Sequence, residues 1–178
     1  RPQLEQSYRL QALAALGQDY LSAGVLDRAE RLFLDLIKLQ KEDQNVLFFL
    51  LKIYQQEKEW RKAIQIARRL EYVTGEPMRV ELAQFYCELA ESELALSQEK
   101  HVSKYLKQAI VEDKLCVRAN ILGATIAFEK NNYKMAVDYC KKVSMQNIEY
   151  LPEVLRIMHE SSVELGREQE FTKFLGKC

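Results

Sequence analysis

The sequence contains few residues that interrupt helices. Six of its 178 residues are glycine and three are proline, so long segments can run without a helix breaker. Apolar residues make up 48% of the chain and charged residues 29%, which is typical of a folded globular protein rather than a disordered one. No stretch combines apolar–polar alternation with β-branched enrichment, so we predict no sheet. The composition therefore favours an all-α protein.

An excess of one charge is also absent. The 26 basic residues balance 26 acidic ones, so the chain lacks the positive surplus with which nucleic-acid-binding proteins neutralise phosphates. Its longest apolar run, residues 46–51, is far shorter than the roughly 20 residues of a membrane span. We predict no nucleic-acid partner and no membrane span. The chain starts at Arg1 without a signal peptide, and we expect it to be a piece of a longer protein.

Motifs for metal binding, cofactor binding and catalysis are missing as well. The four cysteines form no CxxC pair, which argues against a zinc or redox site, and no glycine-rich phosphate loop occurs. Three of them, Cys87, Cys116 and Cys140, lie in helical patterns where buried thiols are expected. His159 precedes Glu and Ser, but neighbouring residues of a helix point in different directions. We predict a non-enzyme with no catalytic residue, no metal and no cofactor.

What the sequence does contain is a repeat of 34 residues. Tyr20 and Tyr54 are 34 residues apart, and so are Ala29 and Ala63. This is the period of the tetratricopeptide (TPR) helix pair. In such a pair the first helix offers a small residue and the second helix offers Ala where the two cross closely. We expect Gly17 and Ala29 to pack against each other in this way.

The repeat register predicts an all-α, right-handed TPR superhelix of about five helical hairpins, forming a single array over residues 1–178. The repeats are predicted near 4–43, 44–77, 78–115, 116–149 and 150–178. The helices are predicted near 4–22, 26–40, 44–57, 60–74, 78–96, 99–113, 116–130, 133–144, 152–165 and 168–176. First helices should end at Gly24, at Asn131 or Asn132, and at Gly166, because Gly and Asn tolerate a left-handed backbone.

A TPR array presents a concave wall that is lined by the first helix of each hairpin. One stripe of side chains faces this wall in the predicted register. It is rich in amides and mixed in charge, which suits hydrogen bonding to an extended segment or a helix of a protein partner. It lacks the Lys/Arg cluster with which carboxylate-clamp TPR proteins bind acidic C-termini. The predicted partner-binding residues are Gln18, Lys52, Gln55, Gln84, Cys87, Glu91, Asn120, Arg156 and Glu160. Leu21 and Ala124 belong to the same stripe.

Several segments carry a more specific similarity. They are residues 16–20, 27–30, 53–55, 59–64 and 80–90, together with 68–70 after the second repeat. In this order and at this spacing they resemble the bacterial lipopolysaccharide assembly protein B family, also called LapB or YciM. The resemblance is strong over residues 10–95, and beyond Lys100 it continues mainly as repeat register.

The resemblance implies a Gram-negative inner-membrane protein with an N-terminal anchor, a TPR array at the cytoplasmic face and a C-terminal rubredoxin-like metal domain. It implies an adaptor that restrains lipopolysaccharide synthesis. Such an adaptor presents the deacetylase that commits lipid A synthesis to a membrane-bound AAA+ protease. This sequence has neither the anchor nor the paired CxxC motifs of the metal domain. We therefore expect it to be the soluble middle of such a protein, with no metal of its own.

Alternative functions stay open at this point. The leading hypothesis is an adaptor whose wall binds the deacetylase, the protease or other envelope-assembly proteins. The chain could instead be a structural spacer that positions a separate metal domain, or a generic TPR interaction module, and a homo-oligomer is possible. Direct binding of a lipid A precursor would need basic and apolar residues in one pocket, whereas Lys52 and Arg156 are far apart in the predicted array.

Overall fold

The computed structural model describes residues 2–39, 43–96 and 99–176, and these residues form ten α-helices, one short 3₁₀ turn and no strand. The helices are α1 (Pro2–Ser22), α2 (Leu26–Leu39), α3 (Gln44–Gln56), α4 (Trp60–Thr74), α5 (Arg79–Ala95), α6 (Glu99–Glu112), α7 (Val117–Glu129), α8 (Tyr133–Gln146), α9 (Leu151–Glu164) and α10 (Glu168–Leu175). The 3₁₀ turn, Ile148–Tyr150, was not predicted. The all-α prediction is confirmed. The predicted helix end at residue 40 lies outside the described residues, as does Cys178.

The chain divides into two compact units, Arg1–Glu81 and Leu82–Cys178. In the first unit α1 packs on α2, α2 on α3, and α3 on α4. In the second unit α6 packs on α7, α7 on α8, α8 on α9, and α9 on α10. Consecutive helices therefore pair within each unit as the hairpin pattern predicts. The single array over residues 1–178 stays a prediction.

Four hairpins close with the same backbone turn. One residue of each turn has a left-handed conformation, with φ between 56° and 73°. These residues are Gly24, Lys58, Asn131 and Gly166. The N–H of the following residue donates to the carbonyl five residues back, as Val25 does to Tyr20 at 2.8 Å. This bond satisfies a carbonyl that the helix end leaves unpaired.

The predicted turn residues are confirmed in this geometry. Gly24 and Gly166 have positive φ, and of the two candidate asparagines it is Asn131 that adopts the left-handed conformation. Asn132 instead caps α8, because its side-chain oxygen accepts the N–H of Met135 at 3.3 Å. Lys58 adopts the left-handed conformation without being glycine or asparagine, which the sequence pattern did not predict.

A small residue faces a bulky ring where the helices of a hairpin cross. A Cβ atom added to Gly17 would lie 2.8 Å from ring carbons of Phe33, and one added to Gly123 would lie 2.7 Å from ring carbons of Tyr139. Neither glycine has room for a side chain unless the ring moves. Ala63 is fully buried in α4. Gly17 and Gly123 therefore lie where paired helices approach closely, whereas the packing of Gly17 against Ala29 stays a prediction.

Replacing Ala63 by Leu should lower the free energy of unfolding by about 1–3 kcal/mol, because the added carbons overpack a filled crossing. Urea denaturation followed by circular dichroism measures the change. The matched control is Gln65→Leu, which adds the same side chain at an exposed position of α4 and should change stability by less than about 0.5 kcal/mol. Equal denaturation curves for the Ala63 variant and the wild type would contradict the predicted crossing.

Replacing Lys58 by Gly should raise the free energy of unfolding by about 0.5–1 kcal/mol, because the left-handed conformation strains a residue that carries Cβ. Thermal and urea denaturation of the purified variant measure this gain. Lys58→Ala is the control, since it removes the same side chain without relieving the backbone. An equal gain from Ala and Gly would show that the backbone conformation is not the cause.

Candidate functional site

A groove of about 490 Å³ opens on the second unit between α5, the start of α7 and the start of α9. We call it the α5–α7 groove. It is defined here by Gln84, Glu91, Leu115, Arg118, Tyr150 and Glu153. Gln84 and Glu91 come from α5, and Arg118 comes from the first turn of α7. The groove is thus lined by first helices of successive hairpins, as expected for a TPR binding surface.

Small buried side chains allow the helices beneath the groove to approach one another. The cluster that joins α5, α6 and α7 consists of Ala83, Cys87, Ala109, Cys116 and Ala119. Each of these residues has 3% or less of its surface exposed. A core built from alanine and cysteine brings backbones closer than one built from leucine, so polar residues at its edge can reach across from α5 to α7.

Arg118 organises the charges of the groove. Its Nη2 lies 2.8 Å from Glu88 Oε1 and 2.9 Å from Glu91 Oε2, and its Nη1 donates to Gln84 Oε1 at 3.3 Å. Burial lowers the pKa of the Arg118 guanidinium, but the hydrogen bonds to Glu88 and Glu91 outweigh burial and raise the pKa above its usual value. Arg118 therefore stays charged and holds both carboxylates in place.

The groove combines negative charge with exposed apolar side chains. Glu91, Asp113 and Glu153 line it beside Arg118, so acidic groups outnumber basic ones among the described lining residues. Leu115 is 71% exposed and Tyr150 is 41% exposed. The turn that presents Leu115 is fixed by Asp113 Oδ1, which accepts the Leu115 N–H at 2.9 Å. Such a surface suits a segment that carries basic and apolar side chains.

Seven of the nine predicted partner-binding residues lie wholly or partly at the surface. Gln18, Lys52 and Gln55 are exposed in the first unit, while Gln84 and Glu91 line the groove of the second. Arg156 and Glu160 form an ion pair at 3.2 Å on the exposed side of α9. Their contact with a partner stays a prediction.

Cys87 and Asn120 are buried, and for the Cys87 thiol burial was expected from its helical pattern. A buried side chain does not face a partner, which corrects the prediction that these two residues bind one. Cys87 is fully buried and Asn120 is 2% exposed, and Ala124 of the same stripe is also fully buried. Asn120 Nδ2 donates to Gln146 Oε1 at 2.9 Å, so this amide holds α7 to the end of α8. Asn120 and Ala124 of the stripe are covered because their helix, α7, packs against α6, α8 and α9.

Sequence reasoning missed Arg118, Leu115, Tyr150 and Glu153. Arg118 follows Gln84 by 34 residues, so the repeat period itself could have identified this contact between equivalent positions of neighbouring first helices. Leu115 and Tyr150 lie in the turns before α7 and α9. A stripe of side chains along helices does not include residues that lie in turns.

The described part of the chain contains neither a cluster of candidate metal ligands nor a helix suited to span a membrane. Within residues 2–39, 43–96 and 99–176, no group of three or more His, Cys, Asp or Glu side chains could hold a metal ion. None of the helices formed by these residues has both the length and the apolar character needed to cross a membrane.

Curated relatives match nearly the whole chain, although no protein-family model matches it. The chain is 36% identical over 170 residues to lipopolysaccharide assembly protein B of Escherichia coli K12, a match that covers 96% of this chain and 44% of the relative. It is also 36% identical over 169 residues to the Haemophilus influenzae protein of the same name, with 94% and 42% covered. The chain thus spans less than half the length of these relatives.

Solved structures of similar fold are TPR proteins. The crystal structure of MamA matches with a TM-score of 0.57 and 15% identity, covering 94% of this chain and 88% of that one. YrrB, described as a TPR protein with an unusual peptide-binding site, matches with a TM-score of 0.53 and 13% identity, covering 93% and 82%. Likeness at these identities shows the fold alone. The TPR fold predicted from the 34-residue period is confirmed.

Replacing Arg118 by Met should lower the free energy of unfolding by about 1 kcal/mol, because Glu88 and Glu91 would then face each other without a cation. The comparison variant is Lys38→Met, which breaks one exposed pair with Asp35 within α2 and should cost about 0.5 kcal/mol or less. Urea denaturation of both variants at neutral pH measures the difference. Equal costs for the two substitutions would contradict the organising role of Arg118.

Proposed function

The chain belongs to the lipopolysaccharide assembly protein B family, and on that basis we propose that it is a non-enzymatic adaptor that restrains lipopolysaccharide synthesis. It binds protein partners through its TPR helices. In the whole protein it presents the deacetylase that commits lipid A synthesis to a membrane-bound AAA+ protease, at the cytoplasmic face of the inner membrane. The family membership and the TPR fold support a protein-interaction role.

The α5–α7 groove is the observation that carries this proposal. Leu115 and Tyr150 expose apolar surface beside the fixed carboxylate of Glu91 and the unburied Glu153. Recognition energy in protein interfaces concentrates in a few such anchors that a partner can cover. The groove therefore has both parts of a recognition surface, an apolar contact and fixed charge.

The charges of the groove favour a protein segment over a lipid A precursor. Glu91, Asp113 and Glu153 give the lining a net negative charge beside Arg118, and Arg118 is already held by Glu88 and Glu91. An anionic lipid would meet like charge without a free cation in this lining, whereas a segment with a Lys or Arg beside an apolar residue would meet opposite charge. The proposed occupant is an extended segment of this kind on a protein partner.

The experiment that tests this proposal changes three exposed groove residues together, Leu115→Ser, Tyr150→Ala and Glu153→Lys. The substitutions are introduced at the chromosomal locus of the source bacterium, and immunoblotting measures the lipid A deacetylase. We expect the deacetylase to accumulate severalfold, because loss of anchors that each contribute about 2 kcal/mol would abolish stable binding. Circular dichroism of the purified variant should show an unchanged helical signal.

The matched control changes three residues on second helices of the same unit, Val111→Ser, Met145→Ala and Lys107→Glu. Val111 is 71% exposed, Met145 is 84% exposed and Lys107 is also exposed. The control therefore alters similar chemistry at residues that do not line the groove. Deacetylase levels should stay normal in the control. Accumulation in the control alone would place recognition on the opposite face, and normal levels in both would favour the structural-spacer hypothesis.

A further inference from the structure

Two buried thiols lie side by side beneath the groove. Cys87 Sγ in α5 and Cys116 Sγ at the N-cap of α7 are 3.8 Å apart, and both cysteines are free and buried. A disulfide requires a sulfur–sulfur separation of about 2.0 Å. The two sulfurs must therefore move closer by a little less than half of their present separation to form a bond. The residues are 29 positions apart in sequence and meet because they share the small-residue cluster of α5, α6 and α7.

The surroundings of the two thiols differ in a way that assigns their roles. The hydrogen bond with Cys87, the Ala119 N–H at the start of α7 and the Arg118 charge lower the pKa of Cys116, whereas burial and the Asp113 charge oppose this shift. The hydrogen bond to Cys116 and burial both raise the pKa of Cys87. Cys116 also lies at the N-cap of α7 and lines the groove, whereas Cys87 lies within α5 and is fully buried. These positions assign Cys116 as the thiol that reacts first, as the thiolate that is the nucleophilic form of cysteine.

Access also favours Cys116. This residue lines the α5–α7 groove, whose volume of about 490 Å³ admits molecules much larger than a peroxide. Cys140 offers a contrast within the same unit. Its Sγ donates to the Val154 carbonyl at 3.7 Å, and burial raises its pKa to about 12, so it stays a protonated thiol.

We propose that Cys87 and Cys116 form an oxidation site that closes to a reversible disulfide when hydrogen peroxide or an organic hydroperoxide enters the groove. The Cys116 thiolate attacks a peroxide oxygen, the O–O bond breaks, and the leaving hydroxide or alkoxide takes up a proton. Cys116 is then a sulfenic acid. The Cys87 sulfur attacks it, Cys87 loses its proton, the S–O bond breaks and water leaves. The peroxide gains two electrons, one from each sulfur.

This site goes beyond the proposed adaptor role and does not depend on it. The reverse reaction needs a dithiol reductant, which transfers two electrons back to the sulfurs. Transient disulfides of this type occur in reducing compartments, where stable structural disulfides are rare.

The test exposes the reduced 178-residue chain to hydrogen peroxide, blocks the remaining thiols by alkylation, and maps disulfides by mass spectrometry after digestion. We expect a linked pair of peptides that contain Cys87 and Cys116, an alkylated Cys140, and loss of the link after dithiothreitol. Oxidation of Cys140 as fast as Cys116, or alkylation of both Cys87 and Cys116 after peroxide, would overturn the proposal.

Serine variants test the assigned roles. Cys87→Ser should stop the reaction at the Cys116 sulfenic acid, which dimedone traps, whereas Cys116→Ser should leave Cys87 unlabelled. Cys140→Ser is the control and should still form the disulfide. Equal dimedone labelling of the Cys87 and Cys116 variants would contradict Cys116 as the attacking thiol. The disulfide map of the wild-type chain tests the proposal by itself, so the test remains valid even if a serine variant does not fold.

Discussion

The two helices of a hairpin approach each other so closely at their crossing that a small residue on one must meet a bulky residue on the other. Gly17 meets the Phe33 ring sixteen residues later. In the second hairpin the sizes are reversed, with Leu51 and Ala67 at the same spacing and both buried. This exchange of sizes at one spacing indicates that a crossing constrains the combined volume of the two residues more than the identity of either one. Most helices in proteins are stabilised by such packing rather than by intrinsic propensity.

The same constraint positions the chemistry of the second unit. Small residues allow α5, α6 and α7 to pack closely around their shared core, and these include Ala83, Ala109 and Ala119. Cys87 and Cys116 meet in that core, and Arg118 of α7 reaches Glu88 of α5. A residue that looks structural in sequence, such as a buried cysteine, thereby gains a neighbour with which it can react. The close approach of α5, α6 and α7 therefore determines both how this core packs and which reactive side chains meet in it.

The groove above this core is suited to recognition. Arg118 is held between carboxylates, which fixes the charges at the edge of the groove and leaves exposed apolar surface on Leu115 and Tyr150. Fixed charge of one sign selects partners and orients them, while apolar contacts supply much of the affinity. This division of roles matches the adaptor function proposed from the family, and the thiol pair lies directly beneath it.

The sequence by itself determined the helices, their turns and the repeat class. Hydrophobic spacing and the 34-residue period predicted every observed helix end within two residues across the described part of the chain, because these features depend on local contacts along one helix. Only the tertiary structure decided that Asn120 is buried, that Arg118 joins Glu88 and Glu91, and that the Cys87 and Cys116 thiols meet. Which face of a helix is covered depends on how several neighbours pack around it, and no local pattern records that arrangement.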